Sequence, residues 1–238
     1  MSLLELRNVW KRRSRGGRDV TVLKDATLHI DAGELVGVWG LRGSGRTTLL
    51  RLAAGIDAPD SGAVHFDGRD LAEHGEQILG REIGYCRQSF RTAAGRSAID
   101  EVIVGLLVNG VRGKEAHTRA REALRRAGGE SLATRYVCEL DSEERVRLAI
   151  AHALALRPRL LLLDEPVAGV ELDRRDELLS LLRRIADEGI AVLMSVGELS
   201  GLRGSDQSLT IGDGHLSGSP KRALPPVADL DLRRRASG

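Results

Sequence analysis

The N-terminal third of the chain alternates hydrophobic and polar residues, a pattern typical of β-strands that bury one face. The alternation is weak over residues 3–9 and clear over residues 21–30, and a turn follows at residues 31–34. The apolar run at 35–39 instead predicts a strand buried on both faces, as in a parallel sheet. A further short strand is expected at 63–66.

The remainder of the chain changes to helical periodicity interrupted by short apolar runs. Helices are predicted at residues 46–54, 99–108, 114–127, 142–156 and 172–187, and buried strands at 160–163 and 190–196. Strands that alternate with helices predict an α/β fold with a mostly parallel sheet. The run of helices within about 89–157 predicts a helical subdomain inserted into that fold.

A glycine-rich segment joins the predicted strand at 35–39 to the helix that follows it. Backbone N–H groups of such a loop turn inward around phosphate oxygens, and the helix N-terminus adds partial positive charge. The hydroxyl of Thr47 is placed to bind Mg²⁺. The segment therefore predicts a phosphate-binding loop, made of Gly40, Leu41, Arg42, Gly43, Ser44, Gly45, Arg46, Thr47 and Thr48.

Two carboxylates follow the predicted strand at 160–163. Because ligands bind at the carboxyl ends of parallel strands, Asp164 and the glycine-rich loop are expected to meet at one edge of the sheet. Asp164 can hold Mg²⁺ through water, and Glu165 can orient or deprotonate an attacking water. The two segments together predict a site for a phosphate-bearing ligand and Mg²⁺.

Composition argues against several other classes of protein. The chain has 36 Lys and Arg against 34 Asp and Glu, so its net charge of +2 gives no support for nucleic-acid binding. Cys86 and Cys138 match no zinc spacing and are typical of reduced cytosolic thiols. The N-terminus lacks a signal-peptide pattern, and every apolar run is shorter than the ~20 residues that span a bilayer. We therefore expect a chain that does not cross a membrane by itself.

Arginine stands at position 46, where a phosphate-binding loop normally has lysine. Of the 36 basic residues only 4 are lysine and 32 are arginine, a ratio that a GC-rich coding bias can produce. Arginine keeps the positive charge and can hold two phosphate oxygens, but its planar, longer side chain makes the exchange non-conservative. Losing one transition-state donor commonly costs ~10²–10³ in rate.

The order of these motifs resembles the nucleotide-binding subunits of ABC transporters, from about residue 3 to residue 218. Residues 55–71 are similar to the branch that includes lipoprotein-release and macrolide-export systems. The resemblance implies a P-loop NTPase core with an N-terminal antiparallel β-subdomain and an inserted helical subdomain. Beyond it, the paired prolines and the run of arginines at 219–238 predict a flexible tail. The resemblance identifies Gln88, in the segment 83–88, as the glutamine that contacts Mg²⁺ and the attacking water and couples the site to the membrane partner.

The resemblance also implies the cofactors and partners. ATP and Mg²⁺ would bind between two nucleotide-binding subunits, and this pair would couple to a transmembrane permease at the cytoplasmic face of the cell membrane. The second subunit could be another copy of this chain or a different protein. No nucleic-acid partner is implied.

The LSGGQ signature of the family is replaced here by an acidic segment. In the family, the serine hydroxyl and the glycine N–H groups of this motif bind the γ-phosphate held by the opposite subunit. An acid ~4 Å from a phosphate charge is repelled by ~4 kcal/mol at an effective dielectric constant of ~20. The spacing of Asp141 and Glu144 resembles a capping box, so we expect the helix start to be kept and the phosphate site to be lost. The aligned residues are Leu140, Asp141, Ser142, Glu143 and Glu144.

Three other family positions also differ. The switch histidine, which contacts the γ-phosphate in the family, aligns with Gly197, a residue without a side-chain donor. The aspartate of the D-loop aligns with Glu171. The aromatic residue that stacks on adenine aligns with Arg13, and the side chain of either Arg13 or nearby Trp10 could lie on the base.

We therefore predict an ATP-binding subunit of an ABC transporter that binds MgATP and hydrolyses it slowly, because Arg46, Gly197 and the acidic signature depart from the family pattern. A fully active exporter ATPase with compensating changes elsewhere is one alternative. A non-catalytic nucleotide-sensing or assembly partner of an active ABC ATPase or permease is another. A soluble ABC protein of DNA repair or translation is a third.

Overall fold

A computed structural model of the chain describes residues 2–87 and 95–219. The strands are β1 (Leu4–Arg15), β2 (Arg18–Ile30), β3 (Leu35–Gly40), β4 (Ser61–Phe66), β5 (Arg69–Asp70), β6 (Ile83–Cys86), β7 (Leu160–Asp164), β8 (Ala191–Val196), β9 (Gln207–Gly212) and β10 (His215–Ser219). The α-helices are α1 (Arg46–Ala53), α2 (Leu71–Ile78), α3 (Ala98–Val108), α4 (Gly113–Arg126), α5 (Ser142–Leu154) and α6 (Leu172–Asp187). Short 3₁₀ helices span Glu130–Leu132, Val137–Glu139 and Leu199–Leu202.

The strands form two sheets. The N-terminal sheet is antiparallel, with the order β2-β1-β4-β5. The central sheet has the order β10-β9-β3-β8-β7-β6, and its strands are parallel except for the antiparallel pair of β9 and β10. This arrangement confirms the predicted α/β fold with a mostly parallel sheet and an antiparallel β-subdomain.

Helices α3, α4 and α5 lie between β6 and β7 in the chain and pack against one another. The boundaries 89–157 of this insertion stay a prediction, since residues 88–94 fall outside the described ranges. Helix α5 begins at Ser142 as expected but ends at Leu154, before Arg157 takes a left-handed φ of 57° ahead of Pro158. The predicted tail lies outside the described residues from position 220 onward.

Several elements lack the periodicity that would have predicted them. Strand β9 buries only Ile211, and its other residues are half-buried or exposed, so its hydrophobic alternation is too weak to read. Strand β1 continues well beyond residue 9 into a segment rich in Lys and Arg, where no alternation is visible. Helix α2 is short, and its start is marked by Asp70, whose side chain accepts a hydrogen bond of 2.8 Å from the N–H of Ala72.

The central sheet separates two hydrophobic clusters, and β7 contributes to both. Leu161 and Leu163 point into one cluster with residues of α5 and α6, whereas Leu160 and Leu162 point into the other with residues of α1. All four leucines are buried, because successive side chains of a strand face opposite sides and helices cover both faces. Among the described residues, no helix has both the length and the apolar character needed to cross a bilayer.

Substitution of either face of β7 tests this two-sided burial. We expect Leu161→Ala and Leu162→Ala each to lower the free energy of unfolding by about 2–5 kcal/mol, through lost burial and the cavity that remains. Leu107→Ala, at a side chain that is 47% exposed, is the control and should change it by less than about 0.5 kcal/mol. Denaturant unfolding followed by circular dichroism measures all three. A small effect at only one of the two strand positions would contradict burial on both faces.

Candidate functional site

Three strand ends meet at one edge of the central sheet. Strand β8 lies between β3 and β7, where Trp39 pairs with Val196 and Asp164 pairs with Ser195. The residues that follow these strands therefore leave the sheet side by side. The structure thus brings together the glycine-rich loop, the two carboxylates and Gly197, as the sequence predicted for the first two.

The loop between β3 and α1 depends on a glycine at its end. Gly45 has a φ of 113° and is the N-terminal cap residue of α1, and an added Cβ would lie 2.6 Å from the carbonyl oxygen of Val22. Only glycine combines that backbone conformation with so close an approach. The tip of the loop is exposed to solvent, as is Thr47 in the first turn of α1.

Ser44 is partly buried within this loop. Its backbone N–H donates a hydrogen bond of 3.0 Å to the carbonyl oxygen of Leu41, which tightens the turn. Its hydroxyl oxygen is buried and has no hydrogen-bond partner within the part of the chain that the structure describes. A buried hydroxyl without a partner is rare in folded proteins and indicates a position where a ligand supplies one.

Ser195 links the two carboxylate residues at the end of β7. Its hydroxyl donates to Oδ1 of Asp164 at 2.7 Å and accepts a bond of 3.0 Å from the backbone N–H of Glu165. Asp164 is buried, and Glu165 has a left-handed φ of 54°, which turns its side chain back toward the loop. Sequence reasoning missed Ser195, although a serine within the otherwise apolar strand β8 is a signal that could have found it.

Arg46 forms an ion pair with Glu165 across the site. Its side chain is only 7% exposed, and its Nη2 donates to Oε1 of Glu165. Its Nη1 is buried without a hydrogen-bond partner among the described residues. The loop arginine and the predicted catalytic carboxylate are therefore direct neighbours, a contact that the sequence did not predict.

Gly197 lies next to the same guanidinium. A Cβ built on Gly197 would be 3.5 Å from Nη1 of Arg46, which is an ordinary van der Waals distance. The indole N–H of Trp39 donates a bond of 3.3 Å to the carbonyl oxygen of Gly197 and so ties this backbone to the end of β3. The position aligned with the switch histidine is thus at the site, although it carries no side chain.

The acidic segment before α5 is paired with arginines, which changes the charge balance suggested by the sequence. Asp141 and Glu144 form the predicted capping box, with both hydrogen bonds at 2.9 Å. Every carboxylate of the segment has an arginine partner: Glu144 pairs with Arg135, Glu143 pairs with Arg147, and Arg174 lies 3.1 Å from both Asp141 and Glu143. The repulsion of a phosphate is correspondingly reduced, but a carboxylate still cannot donate a hydrogen bond to it.

A cleft of about 290 Å³ connects the start of α5 to the end of β7, since both Ser142 and Asp164 line it. Arg87 lines the same cleft, and the predicted glutamine Gln88 is the next residue but lies outside the described residues. Glu171 is exposed and immediately precedes α6.

Arg13 is held in place by an acidic side chain. It pairs with Asp57, which also accepts bonds of 2.6 Å and 2.9 Å from Nε and Nη2 of Arg51 on α1. The hydrogen bonds from Arg51 lower the pKa of Asp57, and Arg13 adds to that effect. Trp10 is partly exposed on the same strand. The structure therefore ties Arg13 to the helix that starts at the loop, and which side chain contacts a base stays a prediction.

The enclosed polar atoms of the loop fit a phosphate group. The hydroxyl of Ser44 and Nη1 of Arg46 are both buried donors without partners among the described residues. A phosphate oxygen accepts hydrogen bonds from such groups beside a helix N-terminus. The hydroxyl of Thr47 and the carboxylate of Asp164 are oxygen donors of the kind that Mg²⁺ prefers, and their role as its ligands stays a prediction.

Comparison with known proteins agrees with this geometry. The family model described as "ABC transporter" matches residues 23–168. The lipoprotein-releasing system ATP-binding protein LolD of Chromohalobacter salexigens is 39% identical over 85% of this chain and 87% of its own length. The methionine import ATP-binding protein MetN of Cereibacter sphaeroides is 34% identical over 84% of this chain and 58% of its own length. The dimeric post-hydrolysis structure of the ATP-binding cassette MJ0796 bound to ADP and Pi has a TM-score of 0.83 at 26% identity, covering 93% of this chain and 100% of that one.

The fold and the loop-and-carboxylate geometry define a P-loop nucleotide-binding domain. The chain belongs to the ABC transporter family, since the family model matches more than half of its residues and curated relatives are similar over most of it. The predicted resemblance to lipoprotein-release systems is confirmed by the similarity to LolD.

The Asp57 cluster predicts a pH-dependent contribution to stability. Because the pKa of Asp57 is lower in the folded protein than in the unfolded chain, its contribution is present at neutral pH and is lost as the pH falls below about 4. We expect Asp57→Asn to lower the free energy of unfolding by about 1–3 kcal/mol at pH 7. The difference from the unmodified protein should shrink by pH 3.

Denaturant unfolding at both pH values measures this difference. Asp31→Asn, at an exposed carboxylate, is the control and should stay within about 0.5 kcal/mol of the unmodified protein at pH 7. A constant deficit of Asp57→Asn from pH 7 to pH 3 would show that charge is not its cause.

Proposed function

We propose that this ATP-binding subunit binds MgATP between two nucleotide-binding subunits, couples it to a transmembrane permease, and hydrolyses it slowly. The observation that carries the proposal is the ion pair between the buried Arg46 and the partly buried Glu165. Beside it, Nη1 of Arg46 and the hydroxyl of Ser44 are buried and find no partner in the described part of the chain. Arg46 belongs to the loop proposed to bind phosphate, and Glu165 is the carboxylate proposed to act on the attacking water. Their contact therefore affects both nucleotide binding and hydrolysis.

Each part of the site has a task in this proposal. The loop N–H groups, Ser44 and Arg46 bind the phosphates, while Thr47, Asp164 and Gln88 hold Mg²⁺. Bound Mg²⁺ supplies positive charge that offsets the charge of the phosphate oxygens. Ser195 keeps Asp164 oriented through its hydrogen bond of 2.7 Å. Glu165 orients a water and accepts its proton.

The ion pair between Glu165 and Arg46 is the first reason to expect slow turnover. Oε1 of Glu165 accepts a hydrogen bond from Nη2 of Arg46, so the guanidinium occupies a position at this carboxylate that an attacking water would need. Position 197 offers no side-chain donor, and where no other residue makes that contact, loss of one such donor costs about 10²–10³ in rate. Binding is less affected, because Arg46 keeps the positive charge beside the phosphates.

The partners follow from the family and the named relatives. LolD belongs to a lipoprotein-releasing system and MetN to a methionine import system. We propose that this chain likewise serves a permease at the cytoplasmic face of the cell membrane, paired with a second nucleotide-binding subunit. That subunit is either a second copy or a homologue with its own signature segment.

A non-catalytic role as a nucleotide-sensing or assembly partner is the second candidate. The arginine pairing of the acidic segment favours it, since side chains engaged within the chain are less available to a nucleotide on the opposite subunit. Nucleotide binding with no turnover in the complete transporter would favour this candidate over slow catalysis.

Assays of the chain with its permease and second subunit test the proposal. We expect labelled ATP to bind in the presence of Mg²⁺ and steady-state turnover to stay below about one per second, because Glu165 is engaged by Arg46. A turnover of several per second would contradict slow hydrolysis. Absence of measurable ATP binding would contradict the proposed function as a whole.

The magnesium ligands predict a separable effect on binding. We expect Thr47→Ala to reduce the ratio of ATP affinity with Mg²⁺ to ATP affinity in EDTA by at least about tenfold, because a metal ligand is lost. Affinity in EDTA should change little. Thr118→Ala, at an exposed threonine of α4, is the matched control and should leave the ratio unchanged. If Thr47→Ala behaved like this control, Thr47 would not be a ligand.

A further inference from the structure

Arg46 and Gly197, the two positions of the site that differ from the family pattern, are direct neighbours in the structure. The guanidinium of Arg46 reaches over the end of β8, and a Cβ on Gly197 would lie 3.5 Å from its Nη1. A longer side chain at position 197 would therefore begin in contact with the guanidinium and would compete with it for the space on that side of the site. Lysine at position 46 would end in one ammonium group and would leave that region open.

The two ends of this guanidinium have different surroundings. Nη2 donates to Glu165, whose backbone N–H is held by Ser195. Nη1 is buried and has no hydrogen-bond partner among the described residues. Nη1 lies on the side of Gly197, where a Cβ would be 3.5 Å away. It therefore points toward the position that aligns with the switch histidine of the family.

We propose that Arg46 combines two roles that the family divides between the loop lysine and the switch histidine. Its positive charge stands beside the phosphates in place of the lysine, and its Nη1 makes the phosphate contact of the histidine, for which Gly197 leaves the space. The inference rests on the proposed function, because its ligand is the terminal phosphate of the bound nucleotide. Nη1 donates to an oxygen of that phosphate. Glu165 is the positioning residue that holds the guanidinium in place for the contact.

The proposal predicts that the effect of a histidine at position 197 depends on residue 46. In the unmodified background, Gly197→His displaces the guanidinium and should lower the affinity for a non-hydrolysable ATP analogue relative to ADP by about tenfold or more. In an Arg46→Lys background, the same substitution fills the open space with a new donor and should raise that relative affinity. The sign of the effect therefore reverses.

Equilibrium calorimetry with Mg²⁺ measures the two affinities for each variant, and thermal unfolding without nucleotide checks that each variant folds. Gly197→Ala adds only a Cβ at ordinary contact distance from Nη1, so the proposal predicts a change of less than about threefold for this variant, and a loss as large as that of Gly197→His would contradict it. Arg46→Lys alone, a conservative change expected to fold, should lower the relative affinity by about tenfold, because the second phosphate contact is lost.

Two results would overturn the inference while leaving the proposed function intact. One is an equal effect of Gly197→His in both backgrounds, which would mean that the two positions act independently. The other is an Arg46→Lys variant that prefers the ATP analogue as strongly as the unmodified protein does. Failure of the unmodified protein to bind either nucleotide would instead overturn the proposed function, and the phosphate contact with it.

Discussion

The parallel pairing of β8 with β3 on one side and β7 on the other sets the positions of the chain segments that form the site. The register that sets Trp39 against Val196 and Asp164 against Ser195 brings three chain segments out of the sheet at the same level. Those segments contain the phosphate-binding loop, Glu165 and Gly197. The sheet can hold this register because helices bury both of its faces, so that slippage by one residue would turn leucines of β7 toward the wrong cluster.

At this edge of the sheet, the length of the side chain at position 46 determines which groups it contacts. Arginine at position 46 is long enough to reach both Glu165 and the space beside Gly197. Its Nη2 contacts the carboxylate, whereas its Nη1 lies next to Gly197. From sequence, the changes at 46 and 197 count as separate losses of catalytic groups. Their proximity makes them one structural unit, and the proposal that nucleotide is bound but slowly hydrolysed depends on it.

The acidic segment before α5 shows a similar dependence on context. Its carboxylates suggested simple repulsion of phosphate, yet Arg135, Arg147 and Arg174 pair with them. The many arginines of this chain are therefore not only a feature of composition, since several of them neutralise specific carboxylates. The capping box holds the start of helix α5 in place, so the segment keeps its position in the fold. It differs from the family signature in the groups it presents, which are carboxylates paired with arginines.

The sequence by itself determined the α/β fold, the loop before α1 and the carboxylates after β7, because hydrophobic periodicity, glycine spacing and strand ends are local signals. Weakly amphipathic elements such as β9 could not be predicted from the sequence, since only one residue of that strand is buried. Tertiary structure alone decided the partners of Arg46, Arg174 and Ser195. Arg46 and Glu165 are 119 positions apart, and Arg174 and Asp141 are 33 apart. A long, charged side chain can reach many neighbours, so its partner is set by which groups the packed elements bring within hydrogen-bond distance.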